Sequence, residues 1–220
     1  MAEPIQEGML REIDEELRQE QFVKVWKRYG KYILCIFFLI ISSITGYQIW
    51  REHDTTSREE QGEKFSETMT LATDGKSEFA LSNLSALQKQ ADPGYKMLAN
   101  FKSAALIANS GDWQSAAELY NKLGNDNSID KIFRDLAILL EATQLINGGG
   151  DLGALEPKIA NLDTENNPWR HSARELTAVI SMKSRDKTKA QKIFSAIVED
   201  AMTPQEMRRR AQEILSGFSE

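Results

Sequence analysis

Few residues in this sequence have side chains that could catalyse a reaction or hold a metal ion. The chain of 220 residues contains one cysteine, Cys35, and two histidines, His53 and His171. A single cysteine excludes an internal disulfide and any metal site built from several thiolates. His53 follows an apolar segment and His171 follows Trp169 and Arg170. We expect both histidines on the surface rather than in a catalytic or metal site.

Motifs that mark common enzyme classes are absent from the sequence. Residues 148–150 lack the lysine and hydroxyl group of a phosphate-binding loop, and neither G-x-S-x-G nor H-E-x-x-H occurs. The net charge of −6 disfavours nucleic-acid binding, because phosphate contacts need a basic surface. We therefore predict a protein that is not an enzyme, with no catalytic residue, cofactor, metal site, nucleic-acid partner or small-molecule substrate.

Residues 32–50 are the most apolar stretch of the chain and carry no charged side chain over 19 positions. A helix of that length crosses a hydrocarbon core of about 30 Å. Aromatic residues that suit the headgroup level of a bilayer flank both ends, at Trp26, Tyr29, Tyr32, Tyr47 and Trp50. The segment is predicted as a single transmembrane helix; the alternative is the core helix of a soluble protein.

The flanks of this segment predict an uncleaved anchor and its orientation. Thirty-one residues precede the segment and no small-residue cleavage site follows it, which disfavours a signal peptide. Lys24, Lys27, Arg28 and Lys31 crowd its N-terminal side. The positive-inside rule then predicts a cytoplasmic N-terminus and a translocated C-terminal part. That part contains no cysteine, as suits an oxidising compartment.

Residues 1–31 are predicted as an amphipathic cytoplasmic segment. Leu10, Ile13 and Leu17 recur at three- and four-residue spacing opposite charged residues. This face is expected to lie along lipid headgroups, with a partner helix as the alternative. Residues 51–60 then form a juxtamembrane connection or continue the membrane helix directly into the next element.

Residues 61–203 have helical spacing that repeats every 36 to 38 residues. Each unit carries a small residue in its first helix and an alanine twelve positions later, at Thr68 and Ala80, Ala104 and Ala116, Ala142 and Ala154, and Ala178 and Ala190. Turn residues separate the two helices, at Gly75, Gly111, Gly149 and Arg185. Small residues at paired positions let the helices of a hairpin approach closely. An irregular helical bundle is the alternative.

This pattern resembles a degenerate tetratricopeptide-repeat array. Residues 111–123 (GDWQSAAELYNKL) match its consensus best, whereas Pro157, Lys158 and Asn161 depart from it, so the second helix of the third unit is expected to be short or displaced. The predicted fold is all-α: a single transmembrane helix, an α-solenoid of about four degenerate tetratricopeptide-like hairpins, and a C-terminal capping helix over residues 204–220.

The resemblance also implies a protein-binding groove lined by the first helix of each unit. The usual groove positions carry over to Phe65, Met69, Phe101, Leu139, Thr143, Val179 and Met182. This set is largely apolar and includes two methionines, which favours adaptable recognition of hydrophobic segments. The alternative is that these side chains simply pack within the array or against the N-terminal helix of the chain itself.

The whole chain resembles a bacterial family, the ancillary subunit of the Sec translocon. The resemblance lies in REIDEELRQEQFVKVWKRYGKY (11–32), GYQIW (46–50) and GYKMLANFKSA (94–104). It implies a single-pass inner-membrane protein with a periplasmic domain that associates with translocon subunits and a membrane-anchored periplasmic chaperone to assist newly translocated proteins. Two alternatives stay open: a non-catalytic scaffold for cell-envelope or cell-division machinery, and an unrecognised enzyme on a helical repeat fold.

Overall fold

The computed structural model describes residues 3–218, and it describes only the backbone of residues 3–25 and of Ile33. The predicted stripe of Leu10, Ile13 and Leu17 lies outside the described side chains. All regular structure between residues 3 and 218 is helical, which confirms the all-α prediction. The helices are α1 (Glu3–Thr73), α2 (Ser77–Gln90), α3 (Pro93–Asn109), α4 (Trp113–Gly124), α5 (Lys131–Gly148), α6 (Glu156–Ala160), α7 (Arg170–Lys183), α8 (Lys187–Glu199) and α9 (Gln205–Ser216).

The chain divides into two compact units, Met1–Glu59 and Glu60–Glu220, and the boundary falls inside α1. Residues 51–60 are helical, as expected if the apolar helix continues directly into the next element. Helix α1 contains the one helical region within the described residues that is long and apolar enough to cross a membrane, Trp26–Thr73. Its most apolar window has a mean hydropathy of 1.9 and none of it is buried in the protein, unlike the core helix of a soluble domain.

In the second unit, helices pair into successive hairpins. The end of α1 packs with α2, α3 with α4, and α7 with α8, whereas α5 is followed by the short α6. The paired small residues sit where the helices meet and are fully buried: Thr68, Ala80, Ala104, Ala116, Ala142, Ala178 and Ala190. Helix α9 covers Phe194 and Ile197 of the last hairpin, as a capping helix should.

Local sequence explains where several of these helices begin. Asp112 and Asp186 each precede a helix, and their carboxylates accept hydrogen bonds from the backbone N–H groups of Ser115 and Lys189 at 3.1 and 3.0 Å. Such side chains satisfy N–H groups that have no partner within the helix. Pro93 starts α3, where a missing N–H has no cost. The hairpin turns are therefore encoded locally.

The third unit departs from the predicted register. Ala154 is exposed, and Leu155, Ile159 and Leu162 are buried instead. The expected position of Ala154 at the helix contact is therefore wrong by one residue. The turn after Gly149 is longer than the others, and α6 has only five residues, as the departures at Pro157 and Asn161 predicted. The short helix leaves α5 in direct contact with α7.

Candidate protein-binding groove

A cavity of about 420 Å³ lies between α5 and α7, the first helices of the third and fourth units. Side chains from both helices line it at three- and four-residue spacing. The apolar ones are Leu136, Leu139, Leu140, Ile146, Leu176 and Val179. We call this cavity the α5–α7 groove. Concave, mostly apolar surfaces of this size are where proteins bind side chains of a ligand or partner.

The structure places the seven predicted groove residues in different settings. Leu139, Thr143 and Val179 line the α5–α7 groove together. Met182 follows on α7 with 42% of its surface exposed, but it does not line the groove.

The remaining three predicted residues belong to the first two hairpins. Phe65 and Met69 pack against the buried cluster around Ala80 and Leu84. Phe101 packs against Tyr120, with the ring centroids 6.0 Å apart. A charged substitution at these positions would therefore disturb helix packing as well as any binding.

Sequence reasoning missed eight of the eleven lining residues, among them Leu140, Leu176 and Trp169. Leu140 lies three residues before Thr143 and Leu176 three residues before Val179, so helical periodicity could have found them. Trp169 stands just before α7, where no periodic pattern points to it.

Three of the five side chains with polar groups that line the groove have hydrogen-bond partners in the protein itself. The Thr143 hydroxyl donates to the Leu139 carbonyl at 2.8 Å, and the Trp169 indole N–H donates to the Ile132 carbonyl at 2.8 Å. Both Glu175 carboxylate oxygens accept hydrogen bonds from Arg210 at 3.0 Å. The Thr143 and Trp169 donors are thus already used within the protein, and the other two polar lining residues are Asn147 and Ser172. The groove therefore offers mainly apolar contact.

A network around Asp135 holds the start of α7 against α5. The Asp135 carboxylate is buried and accepts hydrogen bonds from Lys131 at 2.6 Å and from Asn167 at 2.9 Å. The Asn167 side-chain oxygen accepts from the Trp169 backbone N–H at 2.8 Å. Because a buried carboxylate needs such partners, the network fixes the entry to α7 and one end of the groove.

Arg174 ties α7 to the segments on its other side. Its guanidinium donates to both oxygens of Asp163 at 2.8–3.2 Å and to Asp200 at 3.0 Å. The hydrogen bonds with Asp163 raise the pKa of Arg174, and a backbone hydrogen bond from Met202 is the main cause that lowers the pKa of Asp200. Arg174 is thus a permanently charged link between three segments.

His171 lies beside this link and not on the open surface. Its side chain is 15% exposed, its Nδ1 is 3.3 Å from the Thr203 hydroxyl, and its Nε2 accepts from Arg170 at 3.0 Å. The expectation of a surface histidine is therefore wrong. Burial and the neighbouring Arg170 lower the pKa of His171, so the ring is neutral near pH 7. It packs the start of α7 against the end of α8.

Within the described part of the chain, no group of three or more acidic, cysteine or histidine side chains could hold a metal ion.

An array of helical hairpins with an apolar groove is the architecture of a protein-interaction module. The family model for the tetratricopeptide repeat-like domain matches residues 24–140, slightly more than half of the chain. The chain therefore belongs to this family, whose domains are typically non-catalytic interaction modules.

The matched range starts before the apolar segment and ends in α5, so it includes the apolar segment and the first two hairpins. No curated protein and no solved structure gives a significant match.

Proposed function

We propose that this protein is a membrane-anchored interaction module that binds apolar polypeptide segments in the α5–α7 groove. The observation that carries the proposal is the chemistry of that groove. Its floor is leucine, isoleucine and valine, and the Thr143 hydroxyl, the Trp169 indole and the Glu175 carboxylate already have partners in the protein. A surface of this kind binds uncharged side chains better than charged ones, because a charged side chain would lose its hydration without gaining a partner.

The apolar part of α1 is the proposed anchor. The exposed residues Leu34, Phe38 and Ile49 would contact lipid tails, and the basic flank would keep the N-terminus in the cytoplasm. Tethering by one helix confines the repeat unit near the membrane and raises its effective concentration around chains that emerge there. Weak apolar contacts are then enough to hold and release a client.

The proposed setting is the bacterial inner membrane, with the repeat unit in the periplasm. The resemblance at residues 11–32, 46–50 and 94–104 supports association with the Sec translocon and with a membrane-anchored periplasmic chaperone, in assistance to newly translocated proteins. A membrane-tethered groove for apolar segments fits that task, because translocated chains arrive unfolded with their apolar residues exposed.

A binding measurement with a matched variant tests the groove. The full chain in lipid nanodiscs is titrated against a fluorescent polypeptide kept unfolded by carboxymethylation, and fluorescence anisotropy gives the affinity. Thr143→Glu with Val179→Glu should weaken binding about tenfold or more, because two charges would enter an apolar surface. Gln191→Glu with Lys192→Gln changes the net charge equally at exposed positions of α8 and should leave binding unchanged. Equal affinity of all three proteins would refute the groove.

Co-purification from the native membrane tests the proposed partners. The tagged full chain is extracted in mild detergent, and partners are identified by mass. Translocon subunits and a membrane-bound chaperone are the expected partners. Recovery of division or cell-wall proteins in their place would support the scaffold alternative and contradict the translocon assignment.

A further inference from the structure

A row of basic residues stands directly before the apolar segment of α1. Lys27, Arg28 and Lys31 are exposed, and separations of three and four residues place them on one face of the helix. At the helical rise of 1.5 Å per residue, the three cations lie within about 6 Å along the axis. Lys24 occupies the next position of the same face in the sequence. We call Lys27, Arg28 and Lys31 the basic collar.

The helix supplies the basic collar with no counter-charge. Residues 21–51 contain no aspartate or glutamate, so no carboxylate stands three or four residues from any collar side chain. The other flank of the apolar segment differs, since Arg58 there pairs with Asp54 at 3.1 Å, four residues away. Three cations so close together repel one another unless an outside anion lies between them.

Aromatic side chains next to the basic collar fix its depth. The Arg28 guanidinium lies 5.6 Å from the centroid of the Tyr29 ring, and the Lys31 ammonium lies 5.1 Å from that of Tyr32. Trp26, Tyr29 and Tyr32 are about half exposed and follow each other every third residue. Such amphipathic rings prefer the headgroup level of a bilayer, which brings the cations to the depth of lipid phosphates.

We propose that the basic collar is a binding site for the headgroups of anionic phospholipids. This inference rests on the membrane anchor in the proposed function. The phosphate oxygens would lie among the three cations and accept their N–H bonds, while the acyl chains would follow the apolar segment of α1. An acidic protein segment is the rival anion. The lipid is favoured because the basic collar adjoins the apolar segment, with no intervening residues that would carry it away from the membrane surface.

Quenching of Trp26 by brominated lipids tests this proposal. The full chain with Trp50→Phe is reconstituted in vesicles of phosphatidylglycerol and phosphatidylcholine, and a Trp26→Phe, Trp50→Phe protein supplies the background. Two vesicle samples contain both lipids at equal mole fractions. Phosphatidylglycerol carries the bromine in one sample and phosphatidylcholine carries it in the other. Brominated phosphatidylglycerol should quench Trp26 about twofold more than brominated phosphatidylcholine, because each nearby cation attracts anionic lipid. Lys27→Gln, Arg28→Gln and Lys31→Gln together should abolish the difference, whereas Lys27→Arg with Lys31→Arg should preserve it.

The outcomes separate this proposal from the anchor on which it rests. If neither lipid quenches Trp26, the helix is not in the bilayer, and both the anchor and the lipid site are refuted. Equal quenching by both lipids would keep the anchor and refute the lipid site, leaving an acidic protein segment as the partner of the basic collar. A preference that survives the three glutamine substitutions would also refute it. Only chain and lipid are present, so no other protein can create the preference.

Discussion

Arg174 is the side chain on which the position of α7 depends most. It makes hydrogen bonds to the connection before α7, through Asp163, and to the end of α8, through Asp200. All three side chains are less than one-third exposed. Charged hydrogen bonds in such partly buried settings stabilise more than surface ion pairs do, and loss of one partner leaves the others without compensation.

We predict that Arg174→Met lowers the free energy of unfolding by about 1–2 kcal/mol, since it removes charged hydrogen bonds in a partly solvated site. Urea unfolding of the detergent-solubilised full chain, followed by tryptophan fluorescence, measures the change. Arg174→Lys keeps the charge but loses the planar guanidinium. Its free energy of unfolding should lie between those of the native protein and Arg174→Met. An unchanged midpoint for Arg174→Met would contradict the role of this side chain.

The buried Glu141 carboxyl group should make the stability of the fold depend on pH. Its side chain is 7% exposed and accepts a hydrogen bond from Asn121 at 2.8 Å. Burial raises the pKa of Glu141, and the Asn121 hydrogen bond offsets only part of this effect. Between the usual glutamate pKa and the raised one, the folded state binds more protons than the unfolded state. Stability therefore falls as pH rises through that window and stays lower above it.

Glu141→Gln should consequently be more stable than the native protein at pH 7, and the difference should shrink as pH falls from the raised pKa of Glu141 towards the usual glutamate pKa. The glutamine oxygen can still accept from Asn121, so the hydrogen bond is kept. Urea midpoints at a series of pH values measure the effect, and Glu199→Gln at an exposed position is the control. A difference independent of pH would show that ionisation of Glu141 has no part in stability.

At the scale of elements, the hairpin turns share one backbone conformation. Gly75, Gly111 and Gly149 have φ of 78°, 89° and 71°, and the corresponding residue of the fourth turn, Arg185, has φ of 63°. Glycine adopts this left-handed region freely, whereas a residue with a Cβ is strained there by about 1–2 kcal/mol. The fourth hairpin therefore keeps the shared turn geometry despite an unfavourable residue.

Arg185→Gly should therefore stabilise the protein by about 0.5–1 kcal/mol. It relieves the backbone strain, but glycine is more flexible in the unfolded chain, and this offsets part of the gain. Gly111→Ala is the reverse change. An added Cβ at Gly111 meets no atom within 4 Å, so backbone strain alone should lower the free energy of unfolding, by about 1 kcal/mol. Urea midpoints of both variants check the pair. A destabilised Arg185→Gly protein would contradict this explanation of the turn.

Spacing along the chain was enough to predict the hairpins, because small residues and turns recur at a fixed period. It was not enough for the third unit. There the longer turn after Gly149 shifts the buried positions by one residue, to Leu155 and Ile159. A period measured from neighbouring units cannot reveal such a shift, since it depends on the conformation of a single irregular turn.

At the scale of the whole molecule, the apolar segment and the helical array follow from hydropathy and period, whereas the groove does not. Leu139, Thr143 and Val179 share a cavity because α5 contacts α7 directly. That contact includes shared burial of Leu139 with Ile180 and the Asp135–Asn167 hydrogen bond between residues 32 positions apart, which no local pattern shows. Three of the other predicted positions lie elsewhere because the packing of the first two hairpins takes up Phe65, Met69 and Phe101.

Site-specific photo-crosslinking tests the central claim, binding of apolar polypeptide in the α5–α7 groove, most directly. A benzophenone amino acid replaces Val179 in the full chain, or Gln191 on the exposed face of α8 as a control, and each protein is irradiated with the carboxymethylated unfolded polypeptide. Peptide mass mapping then identifies the attached segment. The proposal predicts attachment at Val179 to apolar segments and little at Gln191. Equal attachment at both positions, or attachment at Val179 to charged segments, would contradict it.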